Sequence, residues 1–404
     1  MTLPPDGLAQ KKAIICGGSI GGLFAANALL RAGWQVELFE RTPVPLAGRG
    51  AGIVTHAELI DALRAVGAST ERLGVAITER VAFDLAGARV ATLDHPQIVT
   101  SWDRVHQVLL RALPSECYRL GRNVVGYREH GKTVSAVFED GTSTEADLLV
   151  GADGFRSAIR GQMLPRIQPE YSGYVVWRAL AHERDLPADV HCQVFGAFGF
   201  FLPYGGQIIG YPIAGSDNDL RPGHLRYNFV WYVPVAQGDL DDMLTDATGQ
   251  RHKISIPPPL VRKDVLAEAM QAAEAQLPAA FVEVLKVSER PFFTPIYDHH
   301  SPVMAQGHVA LVGDAACVAR PHVGMGVTKA ALDALALARH LDGGAAVVDA
   351  LAGYSDERSL AARQAYERAQ WLGRFLFAGS PQANRDGRTH PAMDTVMRET
   401  AVVV

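Results

Sequence analysis

The run Ala13-Ile14-Ile15-Cys16-Gly17-Gly18-Ser19-Ile20-Gly21-Gly22, followed by Gln35-Val36-Glu37-Leu38-Phe39-Glu40, decides the fold. Ala13 to Cys16 is short and wholly apolar, which predicts a buried strand. The glycines after it predict a tight turn. The Ala- and Leu-rich stretch from Ile20 to Ala32 predicts a helix, with Gly33 as its stop. A second strand then ends on an acid, Glu40. Strand, turn, helix and strand in this order open a parallel, doubly wound α/β sheet. In such a unit the turn must let backbone N–H groups at the helix start reach a phosphate, where the helix dipole also favours negative charge. Gly17 permits the turn and Gly22 the close helix–strand packing. Gly18, Ser19 and Ile20 lie between them at the helix start. The usual middle glycine is Ser19 here, small enough for phosphate approach and able to donate its hydroxyl. Glu40 is placed to take ribose hydroxyls, and Arg41 follows it.

Two further turns repeat this logic downstream. Asp147-Leu148-Leu149-Val150 reads as an apolar strand that delivers Gly151-Ala152-Asp153-Gly154 to its carboxyl end, followed by Ser157 and Arg160. Val309-Ala310-Leu311-Val312 delivers Gly313-Asp314-Ala315-Ala316 in the same way. Ligands bind outside the carboxyl ends of strands in such sheets, so Asp153 and Asp314 become ligand candidates. Pro321-His322 and Gly324-Met325-Gly326-Val327 then precede a helix, and their N–H groups can face an electron-rich ring.

Between these pieces the character changes. Segments such as Tyr174 to Arg178, Phe200 to Pro203, Ile208 to Pro212 and Tyr227 to Val233 are β-branched and aromatic. They predict an antiparallel sheet with a wide apolar face. The expected organisation is a discontinuous nucleotide-binding domain, 1–170 and 296–378, with a small β-excursion near 75–100. A sheet domain over 171–295 is inserted into it, and a loose tail covers 379–404. Long helices are expected near 327–341 and 348–377.

The bulk composition narrows the function. With 404 residues, 48% hydrophobic and a formal net charge of -5, the chain has ample core and no basic block, so nucleic acid is not an expected partner. No apolar run reaches the roughly 18 residues of a membrane span, and the first residues do not read as a signal peptide. Four scattered cysteines without CxxC spacing predict neither disulfides nor a metal site, and they fit a cytoplasmic protein.

The three motifs, their order and the chain length resemble the class A flavoprotein aromatic hydroxylases, over nearly the whole chain to about residue 375. That resemblance implies FAD as cofactor, with NADPH or NADH as co-substrate. It implies a monooxygenase that uses O2 and a flavin C4a-hydroperoxide to hydroxylate a small hydroxylated aromatic or hydroxypyridine-like ring. The first motif would hold the ADP half, Asp314 the ribityl chain, and Arg104 the pyrophosphate. Arg49 would stand at the flavin entrance. A homodimer is compatible with this class. Cys317 and Thr328 depart from a pattern that often has His and Asn there. His322, Tyr211 and His56 are the candidates for proton transfer or substrate binding, since an imidazole or phenol beside the ring can do either. His299-His300 is expected as a solvated turn, and Arg178 as structural. A reductase or dehydrogenase on this scaffold, or a non-catalytic FAD redox sensor, would carry the same cofactor motifs.

Overall fold

The computed structural model describes residues 10–46, 52–378 and 389–403. The apolar runs named above form one sheet, parallel except for the antiparallel edge strand Ala305–Gln306. Its strand order is Ala305–Gln306, Val309–Leu311, Leu148–Gly151, Lys12–Cys16, Gln35–Glu40 and Tyr118–Leu120. Lys12–Cys16 pairs in parallel with Leu148–Gly151 and with Gln35–Glu40, and Leu148–Gly151 pairs in parallel with Val309–Leu311. The carboxyl ends therefore lie along one edge, so Gly17, Ala152 and Gly313 all emerge on the same side. Helix Ile20–Arg31 covers this sheet and packs against helix Gly326–Asp342.

A second, nine-stranded sheet stands beyond that edge. Its middle strands are Glu289–His300, Glu170–His182, Arg226–Pro234, Gln207–Ile213 and Phe198–Phe201. Alternation gives it two apolar faces. Val175, Trp177, Phe229 and Trp231 pack on the helices Lys263–Gln276 and Ala279–Lys286, in one core. Tyr174, Val176, Ile209, Tyr211, Val230 and Tyr232 belong to a separate core on the opposite face. The β-excursion has the expected extent, Val75–Phe83 and Arg89–Ser101, but belongs to this sheet. Val75–Phe83 pairs in parallel with Phe198–Phe201 and antiparallel with Arg89–Ser101, so residues assigned from sequence to the nucleotide-binding part extend the aromatic sheet. His299 is buried within strand Glu289–His300 rather than in a solvated turn.

The described part of the tail is not loose. Met393–Glu399 is a helix, and Val396, Met397 and Ala401 are buried against the second sheet. Arg80, with 0% exposure, holds this segment. Its guanidinium donates to the carbonyls of Met397 (2.8 Å) and Thr400 (2.7 Å) and to Gln97 Oε1 (2.9 Å). These carbonyls are the unpaired acceptors that every helix leaves at its carboxyl end, where a cation is also favoured by the dipole. Pro, Asn and Gly between 380 and 388 made the tail read as loose, because the buried cation that holds it lies some three hundred positions away. Among the described residues no helix is long and apolar enough to cross a membrane. Arg80→Met should lower unfolding stability by about 3 kcal/mol, because it strands buried carbonyls without a donor. Chemical denaturation of the two proteins would read this directly.

Candidate active site

Two cavities lie along the edge where the strands end, and the loop Ala152 to Arg156 walls both. The smaller, about 170 Å³, is lined by Gly17, Ser19, Glu40, Arg41, Trp102 and Asp153, among others. The larger, about 500 Å³, lies between the turn at Asp314, the segment Arg320–Val327 and the inner face of the second sheet.

The first cleft is shaped by backbone. A Cβ on Gly17 would strike the carbonyl of Ala152, and one on Gly22 the carbonyl of Gly17. Gly17 sits at φ 108°, where other residues are strained. Helix Ile20–Arg31 has no side-chain cap on Ser19 and no acid in its first turn, so its leading N–H groups are left open at the cleft. Glu40 takes the Gly18 N–H on Oε2 and the Thr42 N–H on Oε1, both at 2.9 Å. Each carboxylate oxygen retains a further lone pair for a hydroxyl donor. Trp102 stacks on His106 at 4.7 Å and presents a flat wall. A dinucleotide's adenosine and pyrophosphate fit this donor and acceptor set.

The second and third motifs are tied together. Asp153 accepts from Ser157 Oγ (2.6 Å) and from the Ala158 N–H (2.7 Å), so its carboxylate caps the helix Ala158–Met163 while its backbone walls the cleft. Arg160 donates to the carbonyls of Phe155 (2.8 Å) and Ala315 (3.1 Å) and to His299 Nε2 (3.0 Å). An arginine can only donate, so His299 is neutral. Burial, with Arg160 beside it, holds its pKa down to about 3. Gly313, at φ 62°, donates its N–H to Asp333 (3.0 Å) and accepts from Lys329 Nζ (2.8 Å), and Arg358 also pairs with Asp333 (2.9 Å). This buried trio sets where Asp314 points. Asp314 itself is open to the cavity, at the wall of which it sits beside the buried Lys329. Helix Gly326–Asp342 likewise starts without a side-chain cap, at the cavity wall.

The sequence-predicted residues divide. Gly17, Ser19, Glu40, Arg41 and Asp153 line the first cleft, and Gly18, Ile20 and Gly22 belong to the same turn and helix start. Asp314, Pro321, Gly324, Gly326, Val327 and Tyr211 line the larger cavity. Tyr211 stacks on Phe198 at 4.8 Å, and its hydroxyl has no hydrogen-bond partner among the described residues.

His322, His56 and Arg104 lie elsewhere than expected, and Arg49 falls outside the described residues. His322 is fully buried behind the wall, not in it. Its Nδ1–H donates to Gln207 Oε1 and its Nε2 accepts from the Tyr174 hydroxyl, both at 3.1 Å, which leaves no atom for substrate. The proline before it faces the cavity instead. His56 is also buried outside the cavity lining, with Nδ1 bound to Thr328 Oγ1 at 2.7 Å, which ties the start of helix Ala57–Ala65 to helix Gly326–Asp342. Arg104 points away from both cavities, donates to the Glu71 carbonyl (2.7 Å) and lines a separate recess with Arg72 and Arg111. One helix position places Trp102, not Arg104, at the cleft. Sequence reasoning missed Trp102, Lys329, Asp333 and the cavity residues Thr400 and Ala401. A Lys and an Asp four apart in an Ala-rich helix were the signal for the buried pair.

Comparison with known proteins gives this geometry its family. A model described as "FAD binding domain" matches residues 10–192 and 261–369, and one described as "FAD binding domain-like" matches 171–298. The chain belongs to the FAD-binding domain family. It is 36% identical over 326 residues to 2,6-dihydroxypyridine 3-monooxygenase of Paenarthrobacter nicotinovorans, covering 80% of this chain and 81% of that one. A 6-hydroxynicotinate 3-monooxygenase of Pseudomonas fluorescens is 26% identical, over 81% of each. The solved 2,6-dihydroxypyridine-3-hydroxylase from Arthrobacter nicotinovorans superimposes with a TM-score of 0.86 and 31% identity, covering 95% of both chains. Like the family members it resembles, this chain is an FAD-dependent monooxygenase that uses NAD(P)H and O2.

One pH effect follows from the buried imidazole. Burial holds the His322 pKa down to about 3, below its unfolded value near 6.5. The unfolded chain therefore binds the extra proton first, and stability is full above pH 6.5 and falls as pH drops toward 3. The loss of denaturation midpoint between pH 7 and 5 should be smaller in His322→Asn than in the unaltered protein. An identical loss would contradict the placement.

Proposed function

We propose that this monooxygenase hydroxylates a small, hydroxylated N-heteroaromatic ring of the hydroxypyridine type. The observation that carries the reading is the 500 Å³ chamber at the mouth of the cofactor cleft, with Phe198, Tyr211, Tyr232 and Ile209 on the sheet side and Pro321 to Val327 opposite. Its size suits a single ring beside a cofactor ring. Two of the relatives, a 2,6-dihydroxypyridine 3-monooxygenase and a 6-hydroxynicotinate 3-monooxygenase, support the substrate class.

Placement supports the following residue roles. The N–H groups around Gly18, Ser19 and Ile20 bind the pyrophosphate, with Gly17 and Gly22 allowing its approach. Glu40 accepts from ribose hydroxyls, Arg41 faces the phosphates, and Asp314 accepts from the ribityl chain. Pro321, Gly324, Gly326 and Val327 pass along the ring system. Bound FAD supplies the redox chemistry that activates O2 for transfer of one oxygen atom. The chain's own side chains hold the substrate ring and keep water out. Burial raises the pKa of Tyr211, so its phenol stays protonated and donates a hydrogen bond to a ring oxygen. All four cysteines are free, in support of a reducing cytoplasm.

The purified protein should be yellow, and 2,6-dihydroxypyridine should accelerate its NAD(P)H oxidation, with one hydroxylated product formed per NAD(P)H. Oxidation that ignores every hydroxypyridine, or that yields only hydrogen peroxide, would favour a reductase on the same scaffold. Tyr211→Phe should lower product per NAD(P)H while FAD content stays unchanged.

A further inference from the structure

One half-buried cation in the chamber wall has no counter-charge among the described residues. Arg178 lies in the middle of strand Glu170–His182, with its Cα opposite Val230 on one neighbouring strand and Phe292 on the other. Alternation along the strand places it on the face of Tyr174 and Val176, and it lines the chamber beside Val230, Tyr211, Tyr232 and Thr294. It is half-buried, yet makes no hydrogen bond and no ion pair among the described residues.

The other arginines packed around the site are engaged. Arg80 holds the C-terminal carbonyls, Arg160 knits two motifs, Arg320 pairs with Asp298 at 2.6 Å, and Arg358 pairs with Asp333. Arg156, also in the chamber wall, is exposed and solvated. The acid in the chamber lining is Asp314, and the charges that act on it are Lys329, Asp333 and Arg160. Arg178 instead acts on the hydroxyls of Tyr211 and Tyr232, where it opposes the upward push of burial. It therefore belongs to the tyrosine side of the chamber, across from the segment that carries Asp314.

A guanidinium in an aromatic-walled chamber tolerates this position while water fills the space. A neutral ring that displaced the water would leave the charge desolvated and unpaired, which costs several kcal/mol. A ligand that brings a negative oxygen removes that cost and gains charge-assisted hydrogen bonds in a planar fork. We propose that Arg178 is the anion-recognition residue of this site, and that the oxyanion or carboxylate of the ionised substrate lies on its guanidinium, flanked by Tyr211 and Tyr232. This rests on the monooxygenase reading and adds to it the residue that selects ionised rings. A ring oxyanion conjugated with the heterocycle is also the form richest in electrons, which suits oxygen transfer to carbon.

The test uses FAD-loaded protein without NAD(P)H, with probe binding read from the change in flavin absorbance. The probes are 2,6-dihydroxypyridine, with ring oxygens alone, and 6-hydroxynicotinate, which adds a carboxylate. Arg178→Met keeps the length of the side chain and should retain FAD, while at least one probe should bind about tenfold or more weakly. Arg178→Lys should recover most of that loss. A loss confined to 6-hydroxynicotinate assigns the carboxylate to Arg178, whereas a loss that includes 2,6-dihydroxypyridine assigns the ring oxyanion. Unchanged affinity of Arg178→Met for both probes, or no binding of either by the unaltered protein, overturns the proposal. Arg178-dependent binding without any hydroxylated product would leave it standing and remove the monooxygenase reading instead.

Discussion

A buried carboxylate, Asp333, holds the site in register. It sits fully inside the protein, receives the Gly313 N–H and is paired with Lys329 and Arg358. Lys329 in turn donates to the Gly313 carbonyl, so both backbone groups of one left-handed glycine are fixed by charged side chains of a single helix, Gly326–Asp342. Charges are expensive to bury, and they persist here because each has partners with good geometry. The consequence is positional. The turn after Val309–Leu311 cannot drift, so Asp314 and the chain toward Pro321 leave the parallel sheet in a defined direction. The helix beginning at Gly326 then opens its uncapped N-terminus at the chamber.

The rest of the site is arranged around that fixed turn. Two open helix N-termini, at Ser19–Ile20 and at Met325–Gly326, belong to helices that pack against each other. Arg160 carries the second motif onto the third. The aromatic sheet closes the space from above, and the C-terminal segment completes its rim. Ala401 donates its N–H to the His322 carbonyl at 2.9 Å, and Gly324 has no room for a Cβ because Ala401 occupies it. One end of the chain is thus built into the wall of a cavity formed mainly by its middle.

What the sequence made legible was local. Gly17, Gly22 and Glu40 announce their roles because turn geometry, helix start and strand end are encoded within thirty residues. The strands Lys12–Cys16, Leu148–Gly151 and Val309–Leu311 are legible because a strand buried on both faces must be continuously apolar. What depends on side-chain direction was not legible. His322 stands next to a cavity-lining proline, yet its ring turns into the core, where Gln207 and Tyr174 arrive from the inserted sheet. Arg104 and Trp102 share a helix, and only the helix's rotation decides which faces the cleft. Arg80 gave no local sign that it holds the other end of the chain, since its partners are carbonyls.

The central claim is that one FAD runs from Glu40 to the Pro321–Val327 segment, with its ring against the chamber that contains Arg178 and Tyr211. A crystal structure with FAD and 2,6-dihydroxypyridine bound tests it most directly. The account predicts the ribose within hydrogen-bond distance of Glu40, the pyrophosphate at the N–H groups of Ser19 and Ile20, and the heterocycle between the flavin and Tyr211. FAD bound elsewhere, or a flavin ring remote from Pro321, would contradict it.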